Sequence, residues 1–499
     1  MNSSNIEHVD VLIIGAGISG IGAAHYLQKM QPAKTFAIVE ARADIGGTWD
    51  LFRYPGIRSD SDLHTFSYEF KAWENENAIA GADAIMSYLR ETVAEHGIGN
   101  AIRFGHKVIE AAWHTEDARW LVEIERVDSG ERVTMSCGWF FCASGYYRYD
   151  QGFTPEFPGR ERFTGQIVHP QLWPQDLDYR GKRVVIIGSG ATAVTLVPAM
   201  AETAGHVTML QRSPTYIVPV PSKDRIANAL PKLIGRKRAH AVTRQKNIAK
   251  QRMVFRLCQQ YPGAARRLIR HLNAKQLPTG YPVDEHFKPA YNPWDQRVCA
   301  VPDADMFKAI RDGRASVVTD RIETFTERGI RLGSGRELDA DIIITATGLN
   351  LLAFGGISLT VDGEPVNVGE KVAFKGFLLS DVPNFAYVFG YTNSSWTLKV
   401  GLVCEHFCRL LAHMDAHGYD VCRPELPGSM ATRPLLEITS GYAQRAAAQL
   451  PNQGADGPWR TCMDYRADHK ILREGPVDDD HLRFTASSST YQPEPALAG

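Results

Sequence analysis

The sequence predicts an α/β protein with two doubly wound domains and a helical insertion in the second. A pattern of strand, glycine turn, helix and strand begins near Val9 and begins again near Arg183. Each repeat is a βαβ unit, which starts a parallel sheet. A stretch rich in lysine and arginine, 222–280, has helical periodicity and follows the second unit. A chain of 499 residues also exceeds one ordinary core, so two or three domains are expected.

Composition excludes several classes of protein. Hydrophobic residues make up 44% of the chain and charged residues 22%, which is typical of a soluble globular protein. The formal net charge of -1 gives no reason to expect a nucleic-acid partner. No apolar run is long enough to cross a membrane, so we expect no transmembrane helix, and the first residues lead us to expect no signal peptide. The eight cysteines are scattered and form no CxxC pair, which favours a reducing cytoplasm with buried thiols over a disulfide framework. No metal site is expected.

The first glycine turn follows the apolar run 9–14 and opens a helix. Gly15 permits the tight turn, Gly17 lets a pyrophosphate approach the backbone, and Gly20 lets helix and strand pack closely. The helix N-terminus then presents N–H groups to the phosphates. Glu40 ends the next strand, where a carboxylate accepts hydrogen bonds from a ribose diol and repels a 2′-phosphate. This turn favours FAD or NAD over NADP; the alternative is an ordinary glycine turn.

The second glycine turn differs at the positions that select the nucleotide. Gly188 and Gly190 are present, but Ala193 replaces the third glycine. Arg212 and Ser213 end the following strand in place of an acid. Arginine can hold a phosphate with two charge-assisted hydrogen bonds, so this turn favours NADPH. The alternative is a solvated surface arginine.

Two nucleotide preferences in one chain indicate FAD that is reduced by NADPH. Three outcomes remain open at this point: disulfide reduction, electron transfer and oxygen activation. A disulfide reductase needs a close pair of redox cysteines. Cys404 and Cys408 have helical spacing but lie far along the chain from the first glycine turn, so they do not favour this outcome.

Two longer motifs then identify a family. Residues 46–60, GGTWDLFRYPGIRSD, and 163–174, FTGQIVHPQLWP, together with Ala346-Thr347-Gly348, resemble the signatures of type I Baeyer–Villiger flavin monooxygenases. The similarity covers nearly the whole chain. Residues 291–297 and 391–396 look most like the ethionamide-activating monooxygenase group within that family. The resemblance implies two doubly wound, Rossmann-like dinucleotide-binding domains that use FAD and NADPH as cofactors.

The resemblance also assigns roles to residues. Arg297 falls on the position of the active-site arginine, and Asp60 on the acid that tunes it. His169 and Trp173 fall in the linker that organises the domains. Gln296 stands where many members of the family carry a lysine, so discrimination against NADH depends mainly on Arg212. The residues predicted to bind cofactors are Gly15, Gly17, Ser19, Gly20, Glu40, Gly47, Thr48, Trp49, Arg58, Asp60, Val108, Gly188, Ser189, Gly190, Thr192, Ala193, Arg212 and Ser213.

The reaction implied by the resemblance inserts one oxygen of O2 beside a ketone carbonyl through a C4a-peroxide of the flavin. The product is an ester or a lactone, and thioethers are also expected to be oxygenated. A fixed cation at Arg297 would lower the pKa of the peroxide and stabilise the oxyanion of the adduct. One alternative is a flavin monooxygenase that acts mainly on N or S atoms. The other is a membrane-surface flavoprotein without oxygenation activity.

The domain boundaries follow from these motifs. We expect an FAD domain at 1–145 and 380–486 and an NADPH domain at 146–221 and 281–379. The basic helical insert is 222–280, and 487–499 is expected to be disordered. The insert carries fifteen Lys and Arg against one acid, Asp224. It is interpreted as a solvated helical face that pairs acids of the other domains, and the alternative is peripheral membrane contact.

Overall fold

Two β-sheets with helices packed against their faces organise the chain, which confirms the predicted fold class. The computed structural model describes residues 6–428 and 430–486. The tail predicted to be disordered, 487–499, lies outside the described residues. In the described ranges, no helix is both long enough and apolar enough to cross a membrane.

The strands of the described chain are short, and many are almost fully buried. In chain order they are β1 (Glu7–Ile14), β2 (Phe36–Glu40), β3 (Ile102–Phe104), β4 (His106–His114), β5 (Arg119–Arg126), β6 (Arg132–Cys142), β7 (Tyr147–Gly152), β8 (Gln166–Val168), β9 (Arg183–Ile187), β10 (His206–Gln211), β11 (Ile217–Val220), β12 (Cys299–Pro302), β13 (Ala315–Thr319), β14 (Ile322–Thr326), β15 (Gly329–Leu332), β16 (Glu337–Asp339), β17 (Ile342–Thr345), β18 (Leu349–Leu351), β19 (Ser358–Val361), β20 (Glu364–Pro365), β21 (Ala373–Phe374), β22 (Leu378–Leu379), β23 (Phe385–Tyr387), β24 (Val421–Pro424), β25 (Thr432–Pro434), β26 (Asn452–Gly454) and β27 (Leu482–Thr485).

Two α-helices of the described ranges, with 25 and 22 residues, are longer than the others. In chain order the helices are α1 (Ile18–Met30), α2 (Thr48–Leu51), α3 (Leu63–Phe66), α4 (Ala82–Glu95), α5 (Ala191–Met200), α6 (Arg225–Ile234), α7 (Arg236–Gln260), α8 (Pro262–Gln276), α9 (Val283–His286), α10 (Asp305–Arg311), α11 (Trp396–His417), α12 (Gly441–Ala446) and α13 (Tyr465–Asp468).

The first sheet is built on five parallel strands in the order β3-β2-β1-β6-β23. The antiparallel pair β4 and β5 extends it from β6. Side chains alternate between the two faces of a strand. Along β1, Val11 and Ile13 therefore enter the core beneath α1 and α11, whereas Leu12 and Ile14 enter the core on the opposite face.

The predicted boundary between the domains at 379/380 is wrong. Strands β19 to β22 fall in the range assigned to the NADPH domain, yet they belong to the first sheet. Strand β19 pairs in parallel with β4, and β22 pairs with β23. The edge of β4 offers unpaired N–H and C=O groups that β19 satisfies. The chain therefore returns to the first domain near Ser358.

The second sheet is fully parallel, with strand order β13-β10-β9-β17-β8. Strand β8 comes from the motif 163–174 and forms one edge of this sheet. Strands β7 and β18 pair antiparallel where the chain passes between the two domains. The carboxyl ends of β1 and β9 carry the two glycine turns, which is where parallel sheets bind nucleotides.

The basic stretch 222–280 forms the helices α6, α7 and α8, as the sequence predicts. It leaves the second domain after β11 and returns before β12, and these two strands pair in parallel. Arg252 forms an ion pair with Asp464 at 2.8 Å. Part of the positive charge of the insert is therefore neutralised by the first domain.

Candidate active site

A cavity of about 1820 Å³ lies between the two domains and is lined by both glycine turns. Gly20 and Ala193 are not among its lining residues. A Cβ added to Gly20 would lie 1.9 Å from the carbonyl oxygen of Gly15, so Gly20 serves the contact of helix and strand. The other predicted site residues all line the cavity: Gly15, Gly17, Ser19, Glu40, Gly47, Thr48, Trp49, Arg58, Asp60, Val108, Gly188, Ser189, Gly190, Thr192, Arg212, Ser213 and Arg297.

The first glycine turn exposes backbone to this cavity. Gly15 has φ +102°, a conformation that favours glycine. Gly17 precedes α1, and no side chain caps the N–H groups of that helix. Gly47 packs against the turn, since its Cβ position would be 3.3 Å from the Cα of Gly17. Uncapped N–H groups at a helix N-terminus, without side chains over them, fit the pyrophosphate of a dinucleotide.

Glu40 ends β2 and is buried beside this turn. Its carboxylate accepts the N–H of Ala16 at 2.7 Å and the N–H of Arg42 at 2.9 Å. Burial raises the pKa of the Glu40 carboxyl, and the two N–H donors oppose that rise. Each carboxylate oxygen can accept further bonds, so the residue holds the turn and can still accept from a ribose diol.

The second glycine turn has the same geometry. Gly188 has φ +133°, and Gly190 precedes α5 without a side-chain cap. A Cβ added to Gly190 would meet nothing within 4 Å. Arg212 is exposed at the end of β10, and the hydroxyl of Ser189 donates to the carbonyl oxygen of Ser213 at 3.2 Å. An exposed guanidinium beside an open glycine turn fits a phosphorylated ribose.

Arg297 lies just before β12 and reaches Asp60 across the cavity. Its Nη1 donates to Oδ2 of Asp60 at 3.1 Å, and its Nη2 donates to the hydroxyl of Tyr146 at 3.5 Å. Burial acts to lower the pKa of this guanidinium, but the groups beside it, Tyr146, Tyr442 and Asp60, hold that pKa well above its ordinary value. The structure thus places a permanent, half-buried positive charge in the cavity that both glycine turns line.

Tyr146 and Tyr442 are functional candidates that the sequence did not indicate. Tyr146 follows β6 and is buried, and Tyr442 lies on α12 beside Arg297. The position of Tyr146 after a parallel strand was a usable signal, because ligands bind at the carboxyl ends of such strands. Tyr442 is 145 positions from Arg297 in the sequence, and no pattern links the two residues.

Comparison with known proteins identifies the family. Residues 13–75 match the family of NAD(P)-binding Rossmann-like domains. FAD-containing monooxygenase EthA of Mycobacterium tuberculosis is 53% identical over 480 residues, which is 96% of this chain and 98% of that protein. Probable FAD-binding monooxygenase AlmA of Acinetobacter baylyi is 48% identical over 490 residues, 97% of this chain and 98% of that one. The chain belongs to the FAD-containing monooxygenases. The prediction of a flavin monooxygenase is confirmed.

Solved structures share the fold of this monooxygenase. An oxidised steroid monooxygenase bound to NADP aligns with TM-score 0.75 and 22% identity over 96% of this chain and 100% of that one. An open form of cyclohexanone monooxygenase aligns with TM-score 0.74 and 20% identity over 96% of this chain and 100% of that one.

The motif 163–174 contributes packing to the monooxygenase, because His169 does not line the cavity. The His169 Nδ1 accepts the N–H of Gln171 at 3.2 Å, and its Nε2 lies 3.3 Å from the carbonyl oxygen of Gly348. Burial lowers the pKa of His169, which favours the neutral ring that these two bonds require. The imidazole therefore ties β8 to the passage between the domains.

Arg58 was predicted to bind a cofactor, and it lines the cavity of the monooxygenase. Its guanidinium is already engaged by the carboxylate of Asp305, at the start of α10 in the second domain. The side chain of Arg58 is 16% exposed and that of Asp305 is 30% exposed. This ion pair joins the two domains beside the cavity, a role that the sequence did not indicate.

The cysteines of the monooxygenase are not arranged for redox chemistry. Cys404 and Cys408 are both buried in α11, and neither lines the cavity. Burial raises the pKa of the Cys408 thiol to about 12 and that of Cys404 well above its ordinary value. Thiols that stay protonated are poor nucleophiles, so the structure gives no support to disulfide reduction.

Proposed function

We propose that this monooxygenase is a Baeyer–Villiger enzyme that uses FAD and NADPH. It converts a ketone, O2, NADPH and a proton into an ester or lactone, water and NADP⁺. The observation that carries this proposal is the Arg297–Asp60 pair, which lies in the same cavity as both glycine turns. The names of the solved structures that share the fold, a steroid monooxygenase and a cyclohexanone monooxygenase, agree with it.

The two cofactors have separate sites in this proposal. The turn with Gly17, Gly47 and Glu40 fits FAD, because its backbone is open and it ends in an acid. The turn with Gly190 and Arg212 fits NADPH, because a cation at the end of β10 can bind a 2′-phosphate. When bound, the flavin takes a hydride from NADPH and activates O2.

Arg297 supplies the electrostatic part of the reaction. Attack on a ketone carbonyl places negative charge on the carbonyl oxygen, and a fixed cation in a partly buried site stabilises that charge. The hydrogen bonds to Asp60 and Tyr146 hold the guanidinium in place before charge develops. A donor that is already held in place contributes more than one that must reorient as the charge develops.

Oxygenation of thioethers belongs to the same proposal. A sulfur atom gains oxygen without an oxyanion on the substrate, so it depends less on Arg297 than a ketone does. A panel of linear, cyclic and aryl ketones with one thioether, given to FAD-loaded enzyme and NADPH, tests both activities by product analysis. Esters or lactones are expected from part of the ketone panel. Sulfoxide without any ester would instead indicate a monooxygenase that acts on heteroatoms. NADPH oxidation without any oxygenated product would indicate that the enzyme is not an oxygenase.

Replacing Gly190 with alanine should weaken the binding of NADPH and leave that of FAD unchanged. The added methyl meets no protein atom, so folding is unaffected, but it occupies space where a pyrophosphate approaches the backbone. We expect the KM for NADPH to rise about tenfold, which corresponds to about 1.4 kcal/mol. Assays of flavin reduction at varied NADPH concentration measure the effect on NADPH binding. The flavin absorbance of the purified protein measures the amount of bound FAD.

Gly20→Ala is the matched comparison at the other turn. Its Cβ would meet the carbonyl oxygen of Gly15, so this variant should lose FAD and thermal stability together. An unchanged KM for NADPH in Gly190→Ala would contradict the assignment of the second turn.

A further inference from the structure

Helix α7 has an unusual distribution of polar and apolar side chains. Its buried residues include the polar Thr243, Arg244 and Asn247. Its apolar residues Met253 and Leu257 are 57% and 47% exposed. A helix at a protein surface usually turns its apolar stripe toward the core. In α7 the side that faces the protein carries these three polar residues together with Ala239 and Ile248, and the side that carries Met253 and Leu257 faces outward.

The polar side of α7 is held by specific contacts with the first domain. Arg244 is buried and donates to the carbonyl oxygens of Thr65 at 3.1 Å and Ser67 at 2.7 Å. Asn247 donates to Oδ1 of Asp62 at 2.9 Å. These bonds satisfy buried polar groups that would otherwise be costly, so they fix the rotation of the helix. The outward direction of the apolar stripe is therefore part of the fold.

The exposed stripe belongs to a wider surface. Of the thirteen exposed large apolar side chains in the described ranges, nine lie within 226–268. We call this surface, formed by the outer sides of α6, α7 and α8, the insert face. Exposed large apolar side chains that are concentrated in one segment indicate an interaction site. Its most exposed members are Leu233, Tyr261, Leu268, Ile226 and Met253.

Positive charge surrounds these apolar side chains. At the junction of α6 and α7, every residue from 231 to 238 is exposed, including Lys232, Lys237 and Arg238. Lys250 is exposed on the same helix as the stripe. In the described part of the chain, none of these four side chains forms an ion pair with an acid of this protein. The insert face is therefore both apolar and cationic.

We propose that the insert face docks on an anionic lipid bilayer. A helix with an apolar stripe flanked by Lys and Arg lies in the membrane interface, with its apolar side chains below the headgroups and its cations beside the phosphates. A second copy of the chain on a two-fold axis would bring the same cations against each other, which disfavours a symmetric dimer through this face. Attachment is peripheral and leaves the cavity between the domains intact.

Cosedimentation of the FAD-loaded full chain with sucrose-filled vesicles tests this proposal. Vesicles of phosphatidylcholine alone are compared with vesicles of an equal mixture of phosphatidylcholine and phosphatidylglycerol. We expect binding to the mixed vesicles, about tenfold weaker binding to the neutral ones, and release as salt rises from about 0.1 M to about 1 M. No binding to mixed vesicles at low salt would overturn the proposal.

Two variants separate the apolar and the charged contributions. Met253→Gln with Leu257→Gln removes part of the stripe, and Lys237→Gln with Arg238→Gln and Lys250→Gln removes cations. Both should reduce vesicle binding at least fivefold without loss of FAD, because these side chains are exposed. The matched controls are Val127→Gln, which is exposed elsewhere, and Arg180→Gln, and both should bind as the parent does.

Two further results would reject the lipid surface. One is vesicle binding by the insert variants that equals that of the parent. The other is a parent protein that does not bind vesicles but self-associates as its concentration rises, with the self-association abolished by Met253→Gln with Leu257→Gln. The insert face would then be an interface between copies of the chain. The proposal does not depend on oxygenation of ketones, because sedimentation requires no turnover.

Discussion

Replacing Arg297 with alanine should lower ester formation by about 100- to 1000-fold, the usual loss when a fixed donor to a developing oxyanion is removed. The guanidinium is held by Asp60 and Tyr146 in the cavity. FAD should stay bound, because the first glycine turn does not depend on Arg297. The yield of ester per NADPH consumed, measured by gas chromatography, reports the effect. Normal ester yield would contradict the role of Arg297.

The lysine variant adds a test by pH. Neighbouring groups hold the pKa of Arg297 well above its ordinary value, so the parent keeps this charge throughout the working pH range. Burial lowers the pKa of a lysine amine. Arg297→Lys should therefore retain part of the ester-forming activity at low pH and lose it as the lysine deprotonates at higher pH. In the parent, Arg297 stays charged and causes no such loss of activity. Arg180→Ala, an exposed arginine paired with Asp178, is the control for removal of a positive charge.

Replacing Arg212 with alanine should lower kcat/KM for NADPH by about 10- to 100-fold, which corresponds to about 1.4 to 2.7 kcal/mol for a charge-assisted contact with a phosphate. The value for NADH should change little, because NADH has no 2′-phosphate. Gln296 is uncharged, so we expect Arg212 to carry most of the discrimination between the two nucleotides.

Steady-state oxidation of NADPH and NADH by the same preparation gives both values. Equal losses of kcat/KM with the two nucleotides would show that Arg212 supports the structure of the site and does not bind the 2′-phosphate. Ser213→Ala is a matched comparison, since it removes a neutral hydroxyl at the adjacent position and should have a smaller effect.

The local motifs predicted much of the fold. Both glycine turns, their strands and their helices are where the sequence places them, because strand, glycine and helix signals act over a few residues. The assignment of β19 to β22 to the NADPH domain was wrong, because their pairing does not depend on local signals. These strands are two to four residues long, and the strand that each one pairs with is decided by open sheet edges far away in the sequence.

The sequence also predicted part of the candidate site. Arg297 and Asp60 followed from family signatures, and the structure brings them together at 3.1 Å. The contact of Arg58 with Asp305 and that of Tyr442 with Arg297 join distant segments, so local patterns could not reveal them. The helical period of α7 was visible in the sequence. Its orientation was not, because buried hydrogen bonds of Arg244 to another domain decide it.

The central claim is that this cavity inserts oxygen from O2 into a ketone. The direct measurement is mass spectrometry of the product formed under heavy-isotope O2 by FAD-loaded enzyme with NADPH and a ketone from the active part of the panel. The proposed reaction predicts an ester or lactone that carries one heavy oxygen atom. An ester without the isotope, or NADPH consumption with the ketone recovered unchanged, would contradict it.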